Sequence, residues 1–334
     1  MATPEGAGAD VSLVALAACL VPTAYAAADN GVLPGVDAQE FRPSPDGATT
    51  LWADDSHIGG PGFAMRSLLS YARDPLGYRY DGGGTATLVS DVMQEDLIPE
   101  LRYGRMRVAL DLPIYAAAYT ANSFATLGLG DFRLDGRIVA HAAEDGGFGF
   151  AVDAALGLPT GTDTGLRSGG VSWDGHVIVD RLFGPLRVVG NTGARGGPAR
   201  ELTGITLENY ATARVAGSYA FTPSAGVALE AYASTPLTEP IISPGALAAE
   251  WTGGGWYRRR ELVVRAGVGT GLTHGIGAPD YRVIVGFGWE RDGLADRDGD
   301  GVPDRADRCV VDPGPRGSST GCPEPDNGDK PESR

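Results

Sequence analysis

Apolar and polar residues alternate with a period of two through segment after segment of this chain, and the links between segments are alternately short and long. From Arg105 to Ile114, Met106, Val108, Leu110, Leu112 and Ile114 share one face, and Arg105, Arg107, Ala109 and Asp111 share the other. Near the end, Tyr281, Val283, Val285, Phe287 and Trp289 repeat the pattern opposite Arg282, Ile284, Gly286, Gly288 and Glu290. Successive side chains of a strand point to opposite faces, so each segment has one apolar and one polar side. About a dozen such segments, each roughly 9–11 residues long, predict an antiparallel transmembrane β-barrel.

The alternation places strands near Phe63–Ala72, Leu88–Tyr103, Met106–Ile114, Asp131–His141, Phe148–Leu158, Val171–Arg181, Leu186–Arg195, Tyr210–Phe221, Gly226–Ser234, Leu247–Trp256, Leu262–Leu272 and Tyr281–Glu290. Gly104-Arg105, Glu144–Gly147, Gly184-Pro185, Thr222–Ser224 and Tyr257–Glu261 are tight links, and Pro159–Gly170, Gly196–Glu208 and Thr235–Ala246 are long ones. Bacterial outer-membrane barrels have short periplasmic turns, long outer loops and an even strand number. Twelve strands over residues 61–291 meet that parity and put both termini in the periplasm.

Composition fits this class. The 51 glycines and 23 prolines suit many turns, and a hydrophobic fraction of 43% is no obstacle, because half of each barrel strand is polar. A net charge of -15 argues against nucleic acid as a partner. No apolar stretch after the N-terminus is long enough for a membrane helix.

On the outer face fall Leu101, Val108, Leu110, Leu134, Ile138, Val152, Val177, Val215 and Leu229, with aromatics such as Tyr103, Trp173, Phe221 and Trp289 near strand ends as interfacial girdles. On the lumen face fall Glu100, Arg102, Arg107, Asp111, Asp131, Arg133, Asp135, Arg137, Asp153, Asp174, Asp180, Arg214, Glu230, Arg265 and Arg282. Both signs interleave there, and Asp131 and Asp135 alternate with Arg133 and Arg137 as a ladder on one wall. Such charges either pair across the lumen and plug it, or line a polar pore and set its selectivity. On this face assignment Leu110→Arg costs about 2–4 kcal/mol at the bilayer midplane, whereas Arg107→Ala on the lumen side barely affects folding.

The N-terminus reads as an export signal over residues 1–26. Val11–Val21 is an apolar run, and Ala24-Tyr25-Ala26 meets the small-x-small cleavage rule. Leu16-Ala17-Ala18-Cys19 also has the form of a lipobox, and either processing route takes the chain out of the cytoplasm. Residues 27–60 are expected as an N-terminal periplasmic segment. In that oxidising location Cys309 and Cys322 can form a disulfide.

Composition changes at Asp292. Counting from Asp296, carboxylates stand at positions 1, 3, 5, 9 and 12 (Asp296, Asp298, Asp300, Asp304, Asp307), with Gly301 at 6 and the Val302 carbonyl at 7. Alternate oxygens at this spacing wrap a hard cation that needs six to eight of them, so residues 292–323 are expected to bind Ca2+. Pro303 and the Pro/Gly-rich continuation exclude flanking helices, and residues 324–334 read as a disordered tail.

The run DRDGDGVPDRADRC followed by GCP resembles a thrombospondin type-3 repeat, whose acidic residues wrap calcium and whose cysteines bridge. With FRPSPDG (Phe41–Gly47), GLGDFRL (Gly128–Leu134) and GAPDYRVIVGFGW (Gly277–Trp289), the chain is similar to OmpA-type outer-membrane proteins that carry such repeats after the barrel. The resemblance implies outer-membrane lipid and the barrel-assembly machinery as partners, the last strand serving as the assembly signal. That family commonly carries several repeats and a peptidoglycan-binding domain. One repeat is present here, so peptidoglycan contact does not carry over.

No catalytic set assembles from the strand phases. His57, His141, His176 and His274 are scattered, and neither G-x-S-x-G nor a phosphate loop occurs, so no enzyme activity is expected. His141 and His176 fall on lumen faces, within range of Asp174 or Asp180. The reading is an outer-membrane β-barrel acting as a passive, porin-like channel for small solutes or ions. The alternatives are a structural barrel with an obstructed lumen and a secreted calcium-dependent adhesin.

Overall fold

The computed structural model describes residues 41–45, 49–79, 85–119, 124–143, 146–162, 170–202, 205–237, 247–273, 275, 277–291, 308–309, 314–315 and 322–323. The strands are β1 (Gly62–Arg79), β2 (Thr85–Tyr103), β3 (Met106–Tyr119), β4 (Phe124–Leu129), β5 (Phe132–His141), β6 (Phe148–Leu158) and β7 (Ser172–Phe183). They continue as β8 (Leu186–Leu202), β9 (Ile205–Thr222), β10 (Ala225–Pro236), β11 (Ala248–Arg259), β12 (Leu262–Gly271) and β13 (Tyr281–Arg291). Each pairs antiparallel with its neighbour, and β1 pairs with both β2 and β13, from Phe63↔Arg291 to Arg73↔Tyr281. The sheet therefore closes on itself.

Thirteen segments make a twelve-stave barrel, because β4 and β5 are halves of one stave. Both lie against β3, β4 along Ile114–Tyr119 and β5 along Met106–Asp111. The stave breaks at Gly130 and Asp131, beside Pro113, which has no N–H to give to a ladder. Gly130 N–H donates to the Pro113 carbonyl at 2.8 Å. On the other side the Thr162 and Thr160 hydroxyls accept the N–H groups of Leu129 and Phe132, both at 2.9 Å. The loop after β6 thus stitches the gap.

Turn chemistry fixes which end is short. Gly104 and Gly184 take φ of 58° and 56° in the two-residue links β2–β3 and β7–β8, a conformation that glycine adopts without a Cβ clash. Toward the other end β1, β2, β8 and β9 run 17–19 residues, beyond what a bilayer needs.

Alternation is strict where the wall is thickest in charge. Burial in β6 runs exposed, buried, exposed throughout, with Phe148, Phe150, Val152 and Leu156 outward and Ala151, Asp153 and Ala155 inward. The outer band continues through Leu134, Ile138, Val177, Val188, Val215 and Leu229, all exposed. One expected inward residue is turned round. A bulge at Ala140 sets His141 against outward-facing Phe150, so His141 is exposed and belongs to no lumen face.

The segment expected as periplasmic, 27–60, is corrected over its described part. Residues 41–45 and 49–60 run inside the barrel, where Phe41, Leu51, Trp52 and Ala53 are buried. Phe41 and Trp52 form an aromatic core with Tyr232, Leu68, Ile98 and Ile284 of the wall. Trp52 stacks on Tyr232 with ring centroids 4.9 Å apart, and Phe41 meets Trp52 edge-on at 4.7 Å. Beyond the barrel, Cys309 and Cys322 are joined by a disulfide. Asp296, Asp298, Asp300, Val302, Asp304 and Asp307, the signal region 1–26 and the tail 324–334 lie outside the described residues.

Candidate functional site

The site is the lumen, and it is filled. Glu100, Arg102, Arg107, Asp111, Arg133, Asp135, Arg137, Asp153, Asp174, Asp180, Arg214, Glu230, Arg265 and Arg282 all face inward and are buried. A twelve-stave barrel is too wide for wall side chains alone to fill. Here residues 41–45 and 49–60 take up the space, and the wall charges bond to them and to one another. Water does not surround them, which corrects the expectation that Arg107→Ala is nearly silent.

Ion pairs cross the wall from strand to strand. Arg66 bridges Glu100 at 2.7 Å and Glu290 at 2.8 Å, and Arg258 reaches Glu290 at 2.6 Å. Arg107 pairs with Asp135, while Arg133 lies 3.6 Å from both Asp135 and Asp174. Arg282 donates to Glu250 at 2.8 Å and lies over the Phe41 and Trp52 rings. The expected Asp131–Arg137 ladder holds only at its centre. Asp131 sits in the break between β4 and β5, half-buried, and accepts the Gly161 N–H at 2.9 Å. Arg137 pairs with Asp54 of the inner segment.

The inner segment is held mostly by its main chain. Glu230 accepts three successive N–H groups, from Leu51 at 2.6 Å, Trp52 at 2.9 Å and Ala53 at 3.0 Å. The Asn191 side-chain amide accepts the Asp54 N–H at 2.8 Å and donates to the Asp54 carbonyl at 2.7 Å. Asp180 accepts the Ser56 N–H at 3.1 Å. Arg265, Arg214 and Arg137 donate to the carbonyls of Thr50, Trp52 and Asp55 at 3.2, 3.1 and 3.0 Å. Side chains add fewer contacts: Trp52 to Thr252 at 3.1 Å, Arg42 to Asp174 at 3.0 Å, and Asp55 to Arg187.

Two wall glycines make room for the segment. A Cβ on Gly267 would meet the Leu51 side chain, and one on Gly149 would collide with the Ser56 hydroxyl and the Asp180 carboxylate. His176 bonds Asp153 at 3.1 Å and Thr212 at 2.9 Å and lies 3.6 Å from Asp174. Asp180, its other expected neighbour, serves Ser56 instead. These three acidic and imidazole groups are close enough to hold a metal ion, but each is already bonded within the wall.

Sequence reading missed Arg66, Asn191 and Glu250, and put Glu290 on the polar face without naming it among the lumen charges. Their strands carry apolar or small residues on the inner face, such as Ala64 and Leu68 beside Arg66, so alternation there loses its contrast. The signal that could have found them was phase alone, counted from Glu100 or Arg282.

Neither the scan against family models nor the search of curated proteins finds a match. Solved structures do. The chain is similar to the COG4313 outer membrane channel of Pseudomonas putida F1, with a TM-score of 0.54 at 12% identity over 71% of this chain and 98% of that one. It also aligns with the NanC porin, with a TM-score of 0.45 at 7% identity over 68% of this chain and 98% of that one. The fold is thus a closed, antiparallel twelve-stave barrel with no helix among the described residues.

Proposed function

We propose that this protein is an outer-membrane channel of porin-like build, shut in the described conformation by its own N-terminal segment. The filled lumen carries the reading. Side chains buried within the wall could not leave it without unfolding the barrel. A segment held by hydrogen bonds between charged groups and a main chain can leave, because water replaces every one of those bonds. What remains is a charged, wettable passage, which supports small solutes or ions as the cargo.

The continuous apolar outer band supports outer-membrane lipid as the surroundings and argues against a soluble adhesin. Assembly by the barrel-assembly machinery and periplasmic termini accompany this reading. The neighbouring channels support it through fold alone. The thoroughness of the inner segment's bonding favours the second reading, a permanently closed structural barrel.

Planar-bilayer recordings separate the two. The refolded chain with Trp52→Ala, which removes the stack on Tyr232, shows more frequent discrete current steps than the parent. Silence from both, in protein that is folded and inserted, supports the structural barrel.

For the tail we propose calcium binding by Asp296, Asp298, Asp300, the Val302 carbonyl, Asp304 and Asp307, in a loop of the thrombospondin type-3 kind. The carboxylate spacing supports it, and the Cys309–Cys322 disulfide next to it restrains the end of the loop. Calorimetric titration with Ca2+ tests it: Asp298→Asn together with Asp300→Asn abolishes the heat.

A further inference from the structure

From Thr50 to Ser56 the wall engages nine main-chain polar groups of the inner segment. The Thr50 carbonyl goes to Arg265, the Leu51, Trp52 and Ala53 N–H groups to Glu230, and the Trp52 carbonyl to Arg214. Asn191 takes both groups of Asp54, Arg137 the Asp55 carbonyl and Asp180 the Ser56 N–H. Two carbonyls stay within the segment: that of Ala53 accepts from the Thr50 hydroxyl at 2.7 Å and that of Leu51 from the Ser44 N–H at 2.9 Å. These donors and acceptors come from β5, β7, β8, β9, β10 and β12, so they surround the segment.

Such bonds read a polypeptide backbone and are indifferent to side-chain identity. A wall built only to lock one sequence would use side-chain contacts. Here those concentrate at Trp52, with ion pairs at Arg42, Asp54 and Asp55. We infer that the vacated lumen is a binding site for short peptides, and that the inner segment occupies it as a tethered mimic of that ligand. Glu230 takes successive N–H groups, Asn191 reads one residue's N–H and C=O together, and the arginines take carbonyls. The inference rests on the channel reading for the ligand's route but not for its binding.

The test uses the full chain carrying Trp52→Ala, so that the tethered segment competes less. Three labelled peptides are the probes: PSPDGATTLWADD, matching residues 43–55, a scrambled peptide of that composition, and the first peptide N-methylated at the positions of Leu51, Trp52 and Ala53. Fluorescence anisotropy of the detergent-folded protein reads binding, and bilayer current reads occupancy of the passage. The first two peptides bind with affinities within a few-fold of each other and interrupt the current. N-methylation weakens binding about tenfold or more, the scale of hydrogen bonds to a charged acceptor. In Glu230→Gln that loss shrinks. Asn191→Leu weakens all three peptides alike and serves if Glu230→Gln fails to fold, as judged by heat-modifiable gel mobility.

Failure of the scrambled peptide to bind, or equal binding of the methylated one, overturns the inference. Current that no peptide interrupts overturns it and leaves the channel standing. Binding with the expected pattern but without current upholds the site and removes the channel.

Discussion

Val152 and Asp153 are neighbours in β6 and meet opposite surroundings, lipid-facing band and buried ion-pair network. Such contrasts were legible in the sequence where charge alternates with hydrophobe, as over Met106–Leu112 and Phe132–Ile138. What alternation could not tell was whether the inner charges meet water. Arg107 is buried and paired with Asp135, so removing it leaves that carboxylate its longer contact to Arg133 at 3.6 Å. Arg107→Ala therefore costs about 1–3 kcal/mol of folding stability. Val152→Arg costs about 2–4 kcal/mol at mid-bilayer depth. Arg105, exposed and donating from its side chain to the Ala140 carbonyl, is the control, and its replacement stays within about 0.5 kcal/mol. Denaturant titrations in lipid vesicles measure all three, and an Arg107→Ala variant as stable as the Arg105 control contradicts the filled lumen.

Among the elements, the inner segment was the least legible. It has no period, because its contacts are made by its backbone, and backbone contacts leave no mark on residue choice. Phe41, Leu51 and Trp52 were the one trace, apolar residues standing before the first strand. The β4–β5 break escaped for another reason. Six residues in β4 are too few to show alternation, and Pro113 opposite them was read as an ordinary strand residue. The segment's seat is testable through the glycines that admit it. Gly267→Val places atoms where the Leu51 side chain lies, and Gly149→Val does so at Ser56. Both variants keep a closed barrel with heat-modifiable mobility and raise the open fraction in bilayer recordings. Unchanged gating in both means that the segment does not need those gaps.

For the molecule as a whole, closure was legible from parity and from the rhythm of short and long links. The outer strand ends were not: the expected β1 stopped at Ala72 and the observed one runs to Arg79, because alternation fades where the wall leaves the bilayer. Closure makes the barrel indifferent to what fills it, so release of the inner segment leaves the wall intact. The central claim, that this segment is the gate, is tested most directly by tying it down. In a Cys19→Ser background, Asp54→Cys and Asn191→Cys are bridged by a short, reducible bifunctional thiol reagent and recorded in a planar bilayer. The bridged protein stays silent, and cleaving the bridge restores discrete current steps, while the same reductant leaves the Cys19→Ser parent unchanged. Equal currents before and after cleavage would contradict the account, because ions would then pass a lumen whose plug cannot move.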